Sequence, residues 1–413
     1  MPSPSLSIAF VTVADLPEGG GRTGRLRTLA GALVGMGHRV VIWNEHGMNL
    51  AGVQHVSGEL GGTHFEYVLG TTQRAHGFRA VGLKLRAVRR ILDRMRAAAR
   101  VGQLDLILLN NLALYDTYPI TRLARRLGLP TIQCYEDERH EVVNPEKFGL
   151  AQRVFGWNAW AADHWCSGLA DQIWVISSYL REKYARLSRH PDRVRVIPTI
   201  VDCDAWALPP EPLRQTPVIF YSGGFGEQDD FEKLALALAD LKRRNVGFCM
   251  RFLGAKPEVP GVRRLQSLVR HLGLEDCTKI KGFYPAHIVK EEVGNANILV
   301  NLRTNSIWSR SGLSTKLSEY LAAGRAVLTT SVGDNARYVE DGKSALVVSP
   351  DDGPEKVAAV LKQAIENAEL RRRLGEGGRQ AALRHFDVPV IQQMIAESLS
   401  ALSLCPKVRK SNL

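Results

Sequence analysis

Residues 298–330 read ILVNLRTNSIWSRSGLSTKLSEYLAAGRAVLTT. Ile298–Leu302 is an apolar run of the kind that forms a buried strand, and Ala326–Thr330 is a second. The stretch between them has helical composition, with Ser314 or Thr315 positioned to cap the helix and Gly324 to end it. Strand, helix and strand in this order are the repeating unit of a parallel α/β sheet. No acidic residue occurs between Glu292 and Glu319, and Arg303, Arg310 and Lys316 fall inside that gap. Cations at the carboxyl end of a strand, beside the positive end of a helix dipole, make a phosphate site. Glu319 follows Lys316 by three positions and Thr315 by four, so the three share a helix face. A carboxylate there can accept hydrogen bonds from both hydroxyls of a ribose. The plainer reading is a surface helix with a Lys316–Glu319 ion pair worth about 0.2–0.5 kcal/mol.

The same alternation extends in both directions. Strand-like runs occur at 7–13, 38–43, 104–109, 131–135, 172–176 and 194–197, and again at 218–222, 248–253, 278–281 and 345–348. Helical stretches follow at 355–367, 369–385 and 388–402. Leu208-Pro209-Pro210-Glu211-Pro212 interrupts the series and reads as a linker. The expected organisation is a Rossmann-like domain over 1–206, a linker over 207–217, a second Rossmann-like domain over 218–385, and a disordered tail over 406–413. Two doubly wound α/β domains in succession suggest a ligand held across a cleft between them, near the carboxyl ends of both sheets.

Composition narrows the classes. The chain has 413 residues and a net charge of +12, which favours anionic partners. Its six cysteines are far apart and form no CxxC pair, so neither a zinc knuckle nor a disulfide framework is expected. There is no run of about 18 apolar residues. The N-terminus lacks a basic n-region, so no signal peptide is expected and a reducing cytoplasm fits. From Arg74 to Arg100 there are nine Lys/Arg and one acid, Asp93. Val81, Leu85, Val88, Leu92 and Met95 repeat at helical spacing there, making a basic amphipathic helix suited to an anionic membrane surface or to packing on the sheet. Trp157, Trp160 and Trp165 fit a membrane interface or core, and core packing is the expectation. No nucleic-acid motif occurs, and aromatics do not interleave with the basic run.

Three further patterns carry chemistry. Gly19, Gly21 and Gly24 fit G-x-G-x-x-G, with Glu45 as a ribose partner, but Ala14–Glu18 separate the strand from the first glycine, unlike a dinucleotide fingerprint. A longer glycine loop before a helix still offers backbone N–H groups to an anion or a sugar. Glu136, Asp137, Glu138 and Glu141 follow a buried strand, and crowded carboxylates there raise each other's pKa. They serve acid/base work or orient a hydroxyl; alternatively they form a solvated turn neutralised by Arg139 and His140. Asp202-Cys203-Asp204 is a D-x-D, a metal-binding pattern, but it sits at the approach to the linker and no metal is expected.

Taken together these stretches resemble glycosyltransferase family 4, whose fold is called GT-B. The family pattern E-x7-E followed by A-x-G-x-PV is similar to the segment ending Glu319-Tyr320-Leu321-Ala322-Ala323-Gly324-Arg325-Ala326-Val327. Gly19–Leu33 resembles the family's glycine loop, 174–180 its "v-Ser-x-x-leu" segment, and 196–202 its "vipNGvD". The resemblance implies that Gly20, Gly21, Gly223, Gly224, Arg310, Ser311, Gly312, Leu313, Ser314, Thr315 and Glu319 bind the donor. Ser311 replaces the first glutamate of E-x7-E, and Gly224 and Asp229 stand where the family carries Arg and Lys. The diphosphate then falls to Arg303 and Lys316, with Arg310 in reserve. Glu136 stands at the family's histidine position, so Glu136 and Asp137 join Lys316 and Arg303 as catalytic candidates. The resemblance also implies that the helix in 386–405 crosses back to the first domain. The function implied is retaining, metal-independent transfer of a sugar from a nucleotide-sugar to a glycan or lipid-linked hydroxyl, in the cytoplasm or at the membrane's inner face. A non-catalytic sugar-nucleotide or partner-binding scaffold is the alternative that Ser311 keeps open; an NAD-dependent enzyme and a metal-dependent transferase are the others.

Overall fold

A computed structural model of the chain describes residues 5–45, 55–73, 78–110, 113–138, 150–254 and 258–402. Arg74, Arg139, His140, Glu141 and the 406–413 tail, on which expectations were placed above, lie outside the described residues. The chain divides into two compact units, Met1–Pro198 with Ile391–Leu413, and Thr199–Val390.

The first unit is an eight-stranded sheet of order β3-β4-β2-β1-β5-β6-β7-β8. The strands are β1 (Ser7–Thr12), β2 (Arg39–Asn44), β3 (Ser57–Leu60), β4 (Thr63–Tyr67), β5 (Leu106–Asn110), β6 (Thr131–Tyr135), β7 (Gln172–Val175) and β8 (Val194–Val196). Every neighbouring pair is parallel except β3 with β4. Residues of β1, β5, β6 and β7 are all buried, as strands covered on both faces must be. Helices α1 (Gly21–Gly35), α2 (Phe78–Arg100), α3 (Leu114–Leu127), α4 (Leu150–Ala161) and α5 (Ser178–Leu187) connect them. The step from β1 to β2 runs opposite to the steps into β5, β6, β7 and β8. Right-handed crossovers therefore set α1 on one face of the sheet and α2 to α5 on the other.

The second unit is a six-stranded, wholly parallel sheet of order β11-β10-β9-β12-β13-β14. Its strands are β9 (Val218–Ser222), β10 (Cys249–Leu253), β11 (Thr278–Ile280), β12 (Ile298–Asn301), β13 (Ala326–Thr330) and β14 (Leu346–Val348). Helices α6 (Phe231–Arg243), α7 (Pro260–His271), α8 (Ala286–Gly294), α9 (Ile307–Ser311), α10 (Thr315–Ala322), α11 (Asn335–Tyr338), α12 (Pro354–Glu366) and α13 (Ala368–His385) surround it. On one face of this sheet Ile219, Tyr221, Phe252, Val300 and Leu328 are buried together in a single core. The stretch 207–217 is fastened to this unit. Arg325 donates to the carbonyls of Pro209, Gly294 and Ala296, Asn297 donates to Pro212 O, and Arg371 pairs with Glu211 at 2.9 Å. The last helix, α14 (Val388–Ser400), lies on the α1 side of the first unit. Gln392 Nε2 donates to Ala32 O at 3.0 Å, and Trp174 Nε1 donates to Ser398 Oγ at 2.8 Å.

One expectation needs correction. The three tryptophans are not core: Trp157, Trp160 and Trp165 are 57%, 37% and 53% exposed. Helix α4 turns its alanines inward, Ala159 and Ala161 being fully buried, and so puts the indoles outside. The apolar stripe of α2 is spent on the sheet: Ala87, Val88, Ile91 and Met95 are buried, and all but Val88 join the core around β1 and β5. That leaves its arginines, with Val81 and Leu85, on the exposed side.

Candidate active site

In the second unit the strand order reverses between β9 and β12, which is where open α/β sheets bind ligands. Those strands pair only at Ile298↔Ile219 and Leu299↔Phe220, so they part toward their carboxyl ends. Gly223 and Gly224 leave β9 at that point, and Arg303 leaves β12. The N-terminus of α10 stands beside them, held by Tyr320, whose hydroxyl accepts from Ser222 N at 2.9 Å.

The cations converge on one carboxylate. Lys316 Nζ lies 3.1 Å from Asp229 Oδ1, and Arg303 lies 3.9 Å from the same oxygen. Lys316 also donates to the Tyr221 hydroxyl at 2.8 Å. All are well buried, with side-chain exposures of 15% for Lys316, 12% for Arg303 and 3% for Asp229. Burial pushes the Asp229 carboxyl up, but Lys316, Arg303 and the Tyr221 hydroxyl together hold it below the ordinary aspartate value. Burial likewise lowers the Lys316 ammonium, which Asp229 partly restores. Two positive charges and one negative leave the cluster a net charge of about +1. Gly223 is required here: a Cβ would stand 2.3 Å from the Tyr221 hydroxyl and 2.6 Å from Lys316 Nζ. At Gly224 a Cβ would meet nothing within 4 Å, so that backbone stays open to a ligand.

Around α10 the expectations divide. Ser314 occupies the cap position but donates to Asn301 Oδ1 at 3.2 Å instead of capping, so no side chain caps the first turn of α10. Thr315 opens the helix, and Gly324, at φ +65°, follows its end in the left-handed conformation. Glu319 has no side-chain hydrogen bond or ion pair among the described residues. The Lys316–Glu319 pair is therefore not formed. Burial pushes the Glu319 carboxyl up to about 7, with Lys316 pulling against it. Arg310 is exposed and forms no ion pair among the described residues. Ser311 is fully buried with its Oγ 3.5 Å from Trp308 O, Gly312 ends α9, and Leu313 is buried.

If Glu319 receives a ribose as a carboxylate, protonation removes acceptors. Affinity for a nucleotide-sugar, whose esterified phosphates do not titrate near neutrality, should then rise about tenfold from pH 6 to pH 8. Calorimetry on Glu319→Gln should find weaker binding with no such slope; unchanged affinity would remove Glu319 from the site.

The first unit gathers other candidates at the carboxyl end of its sheet. Gly20 is the N-cap of α1 and Gly21 its first residue, with no side-chain cap and open space beside Gly20. Glu136 follows β6 and is held by Asn110 Nδ2 at 3.1 Å and Arg25 Nε at 3.5 Å. Arg25, which the sequence reading passed over, is 5% exposed and also donates to the carbonyls of Ile197 and Pro198. Burial raises the Glu136 carboxyl, Arg25 and Arg22 oppose it, and Asp137 contributes less. Mutual crowding is thus not the main cause expected from the sequence: Glu138 is turned away, paired with Lys183 at 2.7 Å, and Asp137 is exposed. Glu45 is fully buried, with Asp116, Lys84 and Tyr115 as its polar neighbours in place of an open ribose seat. In the D-x-D, Asp202 accepts from Ala205 N at 2.8 Å, while Asp204 is fully exposed, 3.9 Å from Arg379. Asp229, Tyr221 and Arg25 are the polar partners that sequence reading did not assign.

Parallel α/β units of this kind are the architecture of GT-B glycosyltransferases. Sucrose-phosphate synthase from Thermosynechococcus elongatus superposes with a TM-score of 0.74 at 17% identity, over 97% of this chain and 99% of that one. Anabaena HepE, solved with UDP and glucose, gives 0.71 at 17% identity, over 96% and 100%. The model for "Glycosyl transferases group 1" matches residues 209–381, and that for "Glycosyl transferase 4-like domain" matches residues 20–199. The chain belongs to the group 1 glycosyltransferases. It is 27% identical over 167 residues to the putative colanic acid biosynthesis glycosyltransferase WcaL of Salmonella typhimurium, a match spanning 40% of each chain. It is 24% identical over 265 residues to the alpha-D-kanosaminyltransferase of Streptomyces kanamyceticus, spanning 62% of this chain and 66% of that one.

Proposed function

We propose that this chain moves a sugar, with retention, from a nucleotide-sugar to a hydroxyl of a glycan or lipid-linked acceptor during polysaccharide or glycoconjugate synthesis. The observation that carries this is the convergence of Lys316 and Arg303 at the switch point of the second unit, beside an α10 terminus that no side chain caps. Charge develops on the departing diphosphate, and preorganised cations and backbone N–H groups stabilise it. The sugar takes on oxocarbenium character as it leaves. Glu319 receives the ribose, and Gly223 and Gly224 let backbone approach the phosphates. In the first unit Gly20 and Gly21 serve the sugars, while Glu136 and Asp137 orient the acceptor hydroxyl, Glu136 held by Arg25 and Asn110. The arginines of α2 favour an anionic membrane surface as the place of work, on the inner face.

The reading uses no metal, and a chelator should leave transfer unchanged. A thermal-shift panel of UDP-, GDP- and dTDP-sugars followed by transfer of labelled sugar tests it; no shift with any of them would end it. Ser311 favours one second reading. It is buried where the family pattern has a glutamate, with its shorter hydroxyl 3.5 Å from Trp308 O. Tight nucleotide binding without transfer to any acceptor would make the chain a sugar-nucleotide scaffold.

A further inference from the structure

The outer side of the α2–α5 layer carries charge of nearly one sign. Arg86, Arg89 and Arg90 on α2, and Arg122 and Arg126 on α3, are exposed and form no ion pair among the described residues. Asp93, the one acid of α2, is taken by Arg96 at 2.8 Å. Helix α2 packs on α3, and α3 on α4 and the π-helical turn Ala162–Cys166 that extends it. Along this α4 edge stand the exposed Val154, Trp157, Trp160 and Trp165. The indoles are braced. Trp157 meets Trp165 edge to face at 6.0 Å, and Trp160 stacks on His164 at 4.1 Å.

Most of the apolar stripe of α2 is buried in the core and only Val81 and Leu85 remain exposed beside its arginines, so α2 offers a membrane mainly charge, and charge alone binds weakly and is lost in salt. The tryptophans supply what α2 lacks. Indoles settle at the headgroup level of a bilayer, and arginines beside them meet anionic headgroups. Exposed indoles beside a surface of arginines, with Asp93 the one acid of α2, match the interface and the like-charged headgroups of an anionic bilayer. We propose that the face made by α2, α3 and α4 docks on an anionic lipid bilayer, with Trp157, Trp160 and Trp165 as the inserted anchor. The proposal rests on the membrane reading given above and names the side chains that carry it, independently of the donor site.

The test is co-sedimentation of the full chain with phosphatidylcholine vesicles, with and without an anionic phospholipid. The chain should bind the anionic vesicles only. Joint replacement Trp157→Ser, Trp160→Ser and Trp165→Ser should weaken binding about tenfold or more at low salt and abolish what survives at high salt. Joint replacement Arg86→Gln, Arg89→Gln and Arg90→Gln should weaken it about tenfold and flatten its salt dependence. The nucleotide-sugar thermal shift must persist in both variants, which shows that they fold and separates this proposal from the donor assignment. Failure of the wild-type chain to bind, equal binding to neutral vesicles, or a tryptophan variant that binds normally would overturn it. So would a tryptophan variant that instead loses affinity for a soluble polysaccharide, or turns a dimer into a monomer.

Discussion

Lys316→Ala is expected to reduce sugar transfer by roughly a hundredfold or more, the usual cost of removing one preorganised group from a developing negative charge. The loss should fall on kcat more than on KM. In the resting enzyme Lys316 is already bound to Asp229 and Tyr221, so the donor gains little from it until the diphosphate begins to leave. Arginine at 316 should rescue poorly, because Gly223 and the Tyr221 ring leave the ammonium a close-fitting place that a planar guanidinium does not match. Steady-state kinetics with the donor identified by the thermal-shift panel measures this; turnover within a factor of about two of wild type would remove Lys316 from the chemistry.

Asp229→Asn should have the largest effect on stability. The carboxylate is 3% exposed and neutralises two cations that are themselves mostly buried. Removing one member of such a group commonly costs about 3–5 kcal/mol, because the rest are left uncompensated. For a unit of this size that is a fall in melting temperature of roughly ten degrees. The native carboxyl is held below its unfolded value, so its contribution is present above the ordinary aspartate pKa and disappears only in acid. An anion in the same seat takes over the carboxylate's role. A nucleoside diphosphate should therefore raise the melting temperature of Asp229→Asn by more than it raises that of the wild type. Calorimetric melting with and without the nucleotide decides the matter, and an equal shift in both would place the diphosphate elsewhere.

The parallel sheets are legible in the sequence because strands buried on both faces read as continuous apolar runs, and Ile298–Asn301 and Ala326–Thr330 form close to where those runs predict. The hairpin of β3 and β4 escapes because it lies at the sheet edge, where His64 and Glu66 break the run. In the second unit, Lys316 and Arg303 are legible from a gap in acidic residues. Asp229 is not, since it lies 87 residues before Lys316 and only the fold brings them together. Ser314 misleads for a related reason: its sequence position is that of a cap, but Asn301 on β12 competes for its hydroxyl. The tryptophans mislead because indole size favours burial on average, while the alanines of α4 already fill the space against its neighbours.

Gly223 has a consequence for how this chain can vary over generations. Every alternative amino acid begins with a carbon that would press on a rigid phenol and displace the ammonium beneath it. Drift at that codon meets a steric barrier, whereas a first side-chain carbon at its neighbour Gly224 would meet nothing within 4 Å, so that codon is sterically free to change.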